Sequence, residues 1–525
     1  MNSELIQSLL KPTPYSHSCS HIELIETHIS WIILTGEFAY KIKKPVNFGF
    51  LDFTSLSARK QYCEAELNLN SRSAPELYIE VLAIGGSPTN PILGAKKEEA
   101  NGEIFEYAIK MHQFKTAELF SELDASKTLS FQHIDELADR VATFHKAAPT
   151  APEETDFGSP EKLLMPAEQN FEQIRERLSD PKHLEQLAHL EEWTLSTFAI
   201  LSDTMRQRKA QGYVRECHGD LHLKNITLFK DRVTLFDCIE FNDGFRWVDV
   251  MSDMAFLVMD LEERGLAAYA NRFLNHYLEE TGDYSGLRLL PFYKAYRAIV
   301  RAKISLFEME DFRDQPEVLE RLWKKYQSYI DLAESCSALP NRFLLTMHGV
   351  AGTGKSTVAL RLVDKLGAIR IRSDVERKRL FEFDPYKHPD TELASRLYSE
   401  EATALTYEKL ARLATHILNA GLSVIVDATN LQKWQRDFLQ NVADDHGVPM
   451  VIADCQAAMS VIQSWIEQRA NTEEDASDAS FEVASRQMKT RDKLDDDELT
   501  RTFVIHSDIM EETNELVSEI RKHLL

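Results

Sequence analysis

Cysteine is scarce in this chain: six among 525 residues, at positions 19, 63, 217, 238, 336 and 455, with no pair near Cys-x-x-Cys spacing. That spacing excludes zinc-ribbon and thioredoxin-like readings, and six are too few for a disulfide framework. Reduced thiols and a cytoplasmic location are the expectation. Long apolar runs are also missing. Nothing nears the ~18 residues of a membrane span, and Met1 to Lys11 lacks a basic stretch followed by an apolar one, so no signal peptide is expected. Positive charge is in deficit, with 60 Lys+Arg against 84 Asp+Glu and a net charge of −24. Neither half is basic, which argues against wholesale coating of nucleic-acid phosphates but leaves room for a local basic cleft. Internal repeats and long low-complexity tracts are absent. What remains is 43% hydrophobic and 9% aromatic, enough for roughly three folding units at ~100–200 residues each.

The pattern changes along the chain. Strands fit 22–26, 29–34, 38–43, 78–84 and 104–111, with a helix over 55–72 and a Gly/Pro/Asn-rich loop at 85–102. Helical periodicity then dominates 130–147, 160–180 and 182–211. Two short strands, 226–229 and 233–236, precede further helices to about 335. In that stretch Leu289, Phe292, Tyr293, Tyr296, Ile299, Val300, Ile304 and Phe307 form one core-facing stripe. Residues 336–342 read as a linker. Beyond it, apolar strands at 343–348, 368–372, 422–426 and 448–453 alternate with helices, the signature of a parallel sheet covered on both faces.

Within this last region Gly349-Val-Ala-Gly352-Thr353-Gly354-Lys355-Ser356 matches G-x-x-x-x-G-K-[ST]. It follows a strand and runs into a helix from Thr357, the context a phosphate-binding loop requires. Glycines let backbone N–H groups curl around phosphates, and the helix N-terminus adds favourable partial charge. Lys355 is expected to reach the β/γ-phosphates and the Ser356 hydroxyl to bind Mg²⁺. Asp374 follows the strand 368–372, with Arg377 one helical turn later. The carboxylate there can take a hydroxyl proton and the guanidinium can bind the acceptor, unless the pair is an N-cap aspartate with a surface arginine. Asp427 at the next strand tip can order Mg²⁺ or its waters, or cap a helix. The set GVAGTGKS, SDVER, VIVDATN and Arg469 followed by DASDAS resembles P-loop kinases (AAA-type ATP-binding) of the zeta-toxin and polynucleotide-kinase type, over most of 342–525. The resemblance implies phosphoryl transfer from ATP to a hydroxyl with Asp374 as base. It also implies a lid whose arginines close on the phosphates, with Arg469 as first candidate and Arg486 and Arg491 behind it.

A second constellation lies upstream. His218-Gly219-Asp220-Leu221-His222-Leu223-Lys224-Asn225 is followed by a strand ending at Asp237. Asp220 can accept a hydroxyl proton, while Asn225 and Asp237 offer hard oxygen ligands for Mg²⁺. This D-x₄-N and strand-D order is the logic of protein-kinase catalytic loops. The segment resembles the aminoglycoside phosphotransferase and choline-kinase-like branch over roughly 20–310. The resemblance implies that Lys41 holds the α/β-phosphates, that Glu66 is its ion-pair partner with Glu64 as rival, and that Tyr107 to Met111 lies near the adenine. Three departures stand out. Thr27-His28-Ile29-Ser30 replaces a glycine-rich loop, Cys238 and Ile239 follow Asp237, and His222 stands where protein kinases carry a phosphate-contacting lysine. Asp249 and Asp253 are expected to anchor the catalytic loop. His17, Cys19 and His21 read as a loop rather than a metal site.

The expected architecture is therefore α/β and multidomain. A protein-kinase-like fold over 1–338 (small β lobe about 20–112, helical lobe about 113–335) precedes a P-loop NTPase domain over 339–525. The expected function is a two-headed, ATP- and Mg²⁺-dependent phosphotransferase acting on a hydroxyl of a small molecule, sugar or nucleotide. Two alternatives are an ATP-binding regulatory N-terminal domain and a nucleic-acid 5′-end kinase at the C-terminus.

Overall fold

The computed structural model describes residues 2–19, 21–49, 51–95, 104–338, 341–469, 478, 480–507 and 509–524. Its contacts group into two compact units: Met1–Ser179 with Thr194–Asp260, and Asp180–Trp193 with Leu261–Leu525. Among the described residues no helix is long and apolar enough to cross a membrane.

The first unit carries a six-stranded antiparallel sheet in the order β1-β2-β3-β6-β4-β5. Its strands are β1 (Glu23–Glu26), β2 (Ser30–Leu34), β3 (Phe38–Lys43), β4 (Tyr78–Ser87), β5 (Asn90–Leu93) and β6 (Glu106–His112). β5 emerges inside the stretch expected to be loop and pairs back on β4. The two-residue period of β3 decides what each face does. Tyr40 and Ile42 join a core with Leu5, Ile6 and Leu9 of the helix Asn2–Leu9, which the sequence reading missed. Ala39 faces the other way, into the core that holds Cys63 of the helix Leu56–Asn70. Lys41 and Lys43 share that second face. Ser55 starts this helix by accepting the Ala58 N–H at 3.1 Å.

Two small ribbons complete the site of this unit. β7 (Val214–Glu216) pairs antiparallel with β10 (Trp247–Asp249), and β8 (Ile226–Phe229) with β9 (Arg232–Leu235). The β8–β9 turn is Lys230-Asp231, both at positive φ, as a two-residue hairpin with the right twist requires.

The second unit is built on a five-stranded parallel sheet ordered β12-β13-β11-β14-β15. The strands are β11 (Leu344–His348), β12 (Ile369–Arg372), β13 (Val424–Asp427), β14 (Met450–Gln456) and β15 (Thr502–His506). One face buries Leu345, Met347, Ile425, Val451 and Ala453 under Val358 and Leu362 of the helix Lys355–Leu366 and Leu516, Val517 and Ile520 of the helix Met510–Leu524. The helices Glu400–Asn419 and Lys433–Asp445 also pack on the sheet. β15 was not expected, because its apolar stretch is short and follows an acidic run.

Residues Leu261–Leu525 group with the P-loop sheet in one compact unit. The helix Ala267–Thr281 packs along Lys355–Leu366, with Asn271 donating to the Asp364 carbonyl at 3.3 Å. It also lies along the free edge of β12. There the Asn275 amide accepts the Arg370 N–H at 2.6 Å and donates to the Ala368 carbonyl at 3.1 Å. A side chain thus supplies the two hydrogen bonds a further strand would make.

Candidate active sites

In the first unit, the alternation of β3 aims Lys41 and Lys43 at the same buried carboxylate. Lys41 Nζ lies 2.8 Å from Glu66 Oε1, and Lys43 Nζ lies 2.6 Å from Oε2. Lys41 Nζ also lies 2.5 Å from Asp237 Oδ1, while Lys43 pairs with Glu240. Burial alone would raise the Glu66 carboxyl, but Lys41 and Lys43 outweigh it and hold it at about 2. Glu240 goes the other way: its burial outweighs Lys43 and raises it. The rival Glu64 is half exposed and pairs with Lys60 at 3.6 Å, so it does not meet Lys41.

Asp237 itself sits at φ 65. Its backbone N–H donates to Tyr78 Oη at 3.3 Å, and the next N–H, of Cys238, to Asn70 Oδ1 at 2.9 Å. These bonds hold a left-handed residue at the strand end without the Phe-Gly that follows it in protein kinases.

The loop 218–225 is fastened to the segment around Asp237, where the His218 carbonyl accepts the Ile239 N–H at 3.0 Å and His218 Nε2 lies 2.8 Å from the Phe236 carbonyl oxygen. Asn225 Nδ2 donates to both the carbonyl and Oδ2 of Asp220 at 3.0 Å, and His222 Nε2 lies 3.3 Å from Asp220 Oδ2. Asp253 holds the loop backbone, accepting the N–H groups of His218 at 3.0 Å and Gly219 at 2.8 Å as well as His145 at 3.1 Å. Asp249 pairs with Arg208 through both carboxylate oxygens, at 2.7 and 2.8 Å. Asp253 thus anchors the loop, as expected, whereas Asp249 holds Arg208 and the start of the following helix instead. Asp260, accepting the Leu223 N–H at 2.9 Å, is a second loop anchor that no motif announced. Gly219 has φ 86, and a Cβ there would lie 2.8 Å from the Phe245 carbonyl oxygen, so the Gly of His-Gly-Asp is sterically required.

His17 packs against Tyr40, with Nε2 3.0 Å from the hydroxyl, and Cys19 donates to the His17 carbonyl. This is the loop role expected of them. The tight turn at 27–30 is closed by Thr27 Oγ1 accepting the Ser30 N–H at 2.9 Å.

In the second unit the sequence candidates converge on one cavity of about 1130 Å³. Gly352, Gly354, Lys355, Ser356, Thr357, Asp374, Arg377 and Asp427 all line it. Gly349 and Thr353 shape the loop from behind. At Gly349, φ is 135 and a Cβ would lie 2.5 Å from the Cys455 carbonyl oxygen. Thr353 Oγ1 and Lys355 Nζ both donate to the Val350 carbonyl, at 2.9 and 2.8 Å. Gln487 accepts the Ala351 N–H at 2.7 Å, a contact from a helix the sequence reading did not connect to the loop.

Asp374 lies in the first turn of the helix Ser373–Leu380, one residue past the start, and does not cap it. Arg377 is not a surface charge. It is 7% exposed, donates to the Leu397 carbonyl at 2.9 Å and stacks over the Tyr398 ring at 5.1 Å. Asp427 ends β13 well before the next helix begins at Lys433, so it caps nothing. It is 5% exposed, and its buried Oδ2 accepts no hydrogen bond; Arg370 Nη1 stands 3.9 Å away. Asn430, at φ 48, fastens the segment after β13 to β11 by donating to Thr346 Oγ1 and the Met347 carbonyl. Arg486 lines the cavity, whereas Arg491 follows the end of its helix. Arg469 closes the helix Met459–Arg469, but its side chain and most of the segment after it lie outside the described residues.

Both sites can therefore be set beside known proteins. Residues 91–290 match the model of the phosphotransferase enzyme family, and residues 344–494 match that of an AAA domain. The uncharacterized protein Rv2004c of Mycobacterium tuberculosis (strain ATCC 25618 / H37Rv) is 28% identical over 467 residues, which is 88% of this chain and 89% of that one. Among solved structures, a choline/ethanolamine kinase family protein from Mesorhizobium loti aligns with 64% of this chain and 99% of its own, at 11% identity and a TM-score of 0.36. A sugar kinase from Janibacter sp. HTCC2649 aligns with 35% of this chain and 94% of its own, at 20% identity and a TM-score of 0.26.

Proposed function

We propose that this chain is an ATP-dependent kinase in which a phosphotransferase-like domain and a P-loop domain are both catalytic. Each moves the ATP γ-phosphate to a hydroxyl of a small-molecule acceptor. The observation that carries the proposal is the convergence of Lys355, Ser356, Asp374 and Asp427 on one cavity. Lys355 neutralises the transferring phosphate, and backbone N–H groups of 349–356 cradle the rest. Asp374 takes the proton of the acceptor hydroxyl as its oxygen bonds to the γ-phosphorus and the bond to ADP breaks. Arg377, already stacked and buried, orients the acceptor.

The N-terminal head repeats this division of labour with other residues. Asp220 is the base, and Lys41, held by Glu66, grips the α/β-phosphates. His222 contacts Asp220 through Nε2 at 3.3 Å. Mg²⁺ fits both donor sets. The orphaned, buried Oδ2 of Asp427 is a ligand-ready oxygen in a residue lining the same cavity as Ser356, and Asn225 spends its NH₂ on Asp220, leaving the amide oxygen and Asp237 as hard donors. When bound, the ion supplies charge neutralisation on the phosphate oxygens.

The test is ATP turnover against a panel of hydroxyl acceptors, read by ³¹P NMR, on wild type, Lys355→Ala and Asp220→Asn. Two phospho-products, one lost in each variant, are expected. A single product lost only in Lys355→Ala would make the N-terminal domain an ATP-binding regulator of the other. Acceptor-independent hydrolysis alone, with a full panel, would sink the two-headed reading.

A further inference from the structure

The helix Ala267–Thr281 belongs to the segment matched by the phosphotransferase family, yet it is built into the unit that holds the P-loop. Asn275 registers it against β12 by bonding both Arg370 N–H and Ala368 carbonyl. One turn later, Glu279 reaches two arginines of the same strand. Its Oε2 lies 2.7 Å from Arg370 Nη2 and its Oε1 lies 2.7 Å from Arg372 Nη1. The carboxylate side chain is 9% exposed. Burial pushes its carboxyl up, but Arg372 and then Arg370 outweigh that and hold it at about 2, so it is ionised throughout the physiological range.

Arg370 is the residue that matters here. It is 8% exposed, and its Nη1 donates to the Ser356 carbonyl at 3.3 Å and stands 3.9 Å from Asp427 Oδ2. It therefore touches the backbone of Ser356, whose hydroxyl is assigned to the divalent ion, and stands close enough to pair with Asp427, but its other nitrogen is tied to Glu279. An arginine in full contact with Asp427 would occupy the carboxylate the ion needs, because two cations would compete for one buried oxygen pair.

We propose that Glu279 is a positioning residue of the P-loop head: it restrains Arg370 and so keeps Asp427 available to the divalent ion. The proposal rests on the P-loop cavity being a metal-dependent phosphotransferase site. It makes a residue of one family segment a determinant of metal affinity in the other. Removing the Glu279 charge leaves Asp427 as the nearest carboxylate for Arg370 to pair with, so the guanidinium closes the 3.9 Å gap. Outer-shell changes of this kind typically weaken metal binding by about 10–100-fold, and about tenfold is expected here.

The experiment uses the full chain with Asp237→Ala, which removes the N-terminal metal carboxylate. Mn²⁺ binding in the presence of ADP is titrated by electron paramagnetic resonance, and ADP binding without metal by calorimetry. Glu279→Gln is expected to weaken Mn²⁺ about tenfold while leaving metal-free ADP affinity unchanged. Glu279→Gln with Arg370→Gln is expected to recover wild-type Mn²⁺ affinity, and Arg372→Gln alone to change nothing. Unchanged Mn²⁺ affinity in Glu279→Gln, an equal loss of metal-free ADP, or no recovery in the double variant would overturn the proposal. If Glu279→Gln does not fold, Arg370→Gln alone decides: it should bind Mn²⁺ at least as tightly as wild type, and weaker binding overturns the assignment. Mn²⁺ binding that survives Asp427→Ala would instead overturn the metal-site reading beneath it.

Discussion

Replacing Lys43 with methionine removes an ammonium whose side chain has no solvent exposure and which joins Glu66 to Glu240. Methionine keeps most of the stem's volume, so the perturbation is electrostatic rather than a cavity. Glu66 retains Lys41 at 2.8 Å, but Glu240, 6% exposed, loses its ammonium partner. Breaking one side of a buried pair costs about 3–5 kcal/mol. At about 1.4 kcal/mol per decade, amide exchange in β3 and in the helix Leu56–Asn70 should accelerate on the order of 10²–10⁴-fold at pH 7. The effect has a pH signature. Burial already raises Glu240 above the ordinary carboxylate value, and loss of Lys43 raises it further. A folded-state value above the unfolded one means the folded chain binds the proton more tightly. Stability then falls as pH rises through that value and recovers as pH drops towards the ordinary carboxylate range. The defect should therefore shrink from pH 8 to pH 5. Lys43→Met with Glu240→Leu removes both charges and should regain most of the loss. Hydrogen exchange of peptides covering 38–43 and 56–70 is the assay. Wild-type exchange in Lys43→Met at pH 7, or a double variant no better than the single, would refute the reasoning.

Gly349→Ala places a Cβ 2.5 Å from the Cys455 carbonyl oxygen at a φ of 135, so the phosphate loop must move. Strain of about 1–3 kcal/mol predicts a 10–100-fold weaker nucleotide affinity at the P-loop head, measurable by calorimetry. Asp374→Asn should lower kcat of that head by about 10²–10⁴ with KM for ATP little changed. A raised KM for ATP at constant kcat would mean Asp374 is not the base.

The phosphate loop was legible because its chemistry is local: glycine positions, lysine and serine are dictated by backbone geometry within eight residues. Asp220 with Asn225 was legible from the D-x₄-N spacing, and Lys41 with Glu66 only through the family resemblance that this spacing carries. Lys43 was not, since adjacent lysines on a strand look like surface charge until Glu66 and Glu240 are seen to bury it. Gln487, Asn275 and Glu279 were invisible for the same reason. Each sits on an ordinary amphipathic helix, and its role depends on which strand that helix meets. β15 escaped because five residues, Thr502–His506, make too short a pattern to separate from a helix end. The break near 338 was read from a linker and a change of strand–helix pattern, neither of which announces that the helix Ala267–Thr281 packs against β12.

The amide of Asn275 has a consequence for anyone who would handle the P-loop head alone. A fragment trimmed to residues 344–494, the span its family match suggests, would leave the Arg370 N–H and Ala368 carbonyl of β12 facing water along an outermost strand. It would also discard β15, baring β14 on the opposite side. Two raw edges on one parallel sheet are a template for sheet-to-sheet growth between molecules. Insolubility of such a fragment would thus report its missing borders, and a soluble version should begin no later than the helix at Ala267.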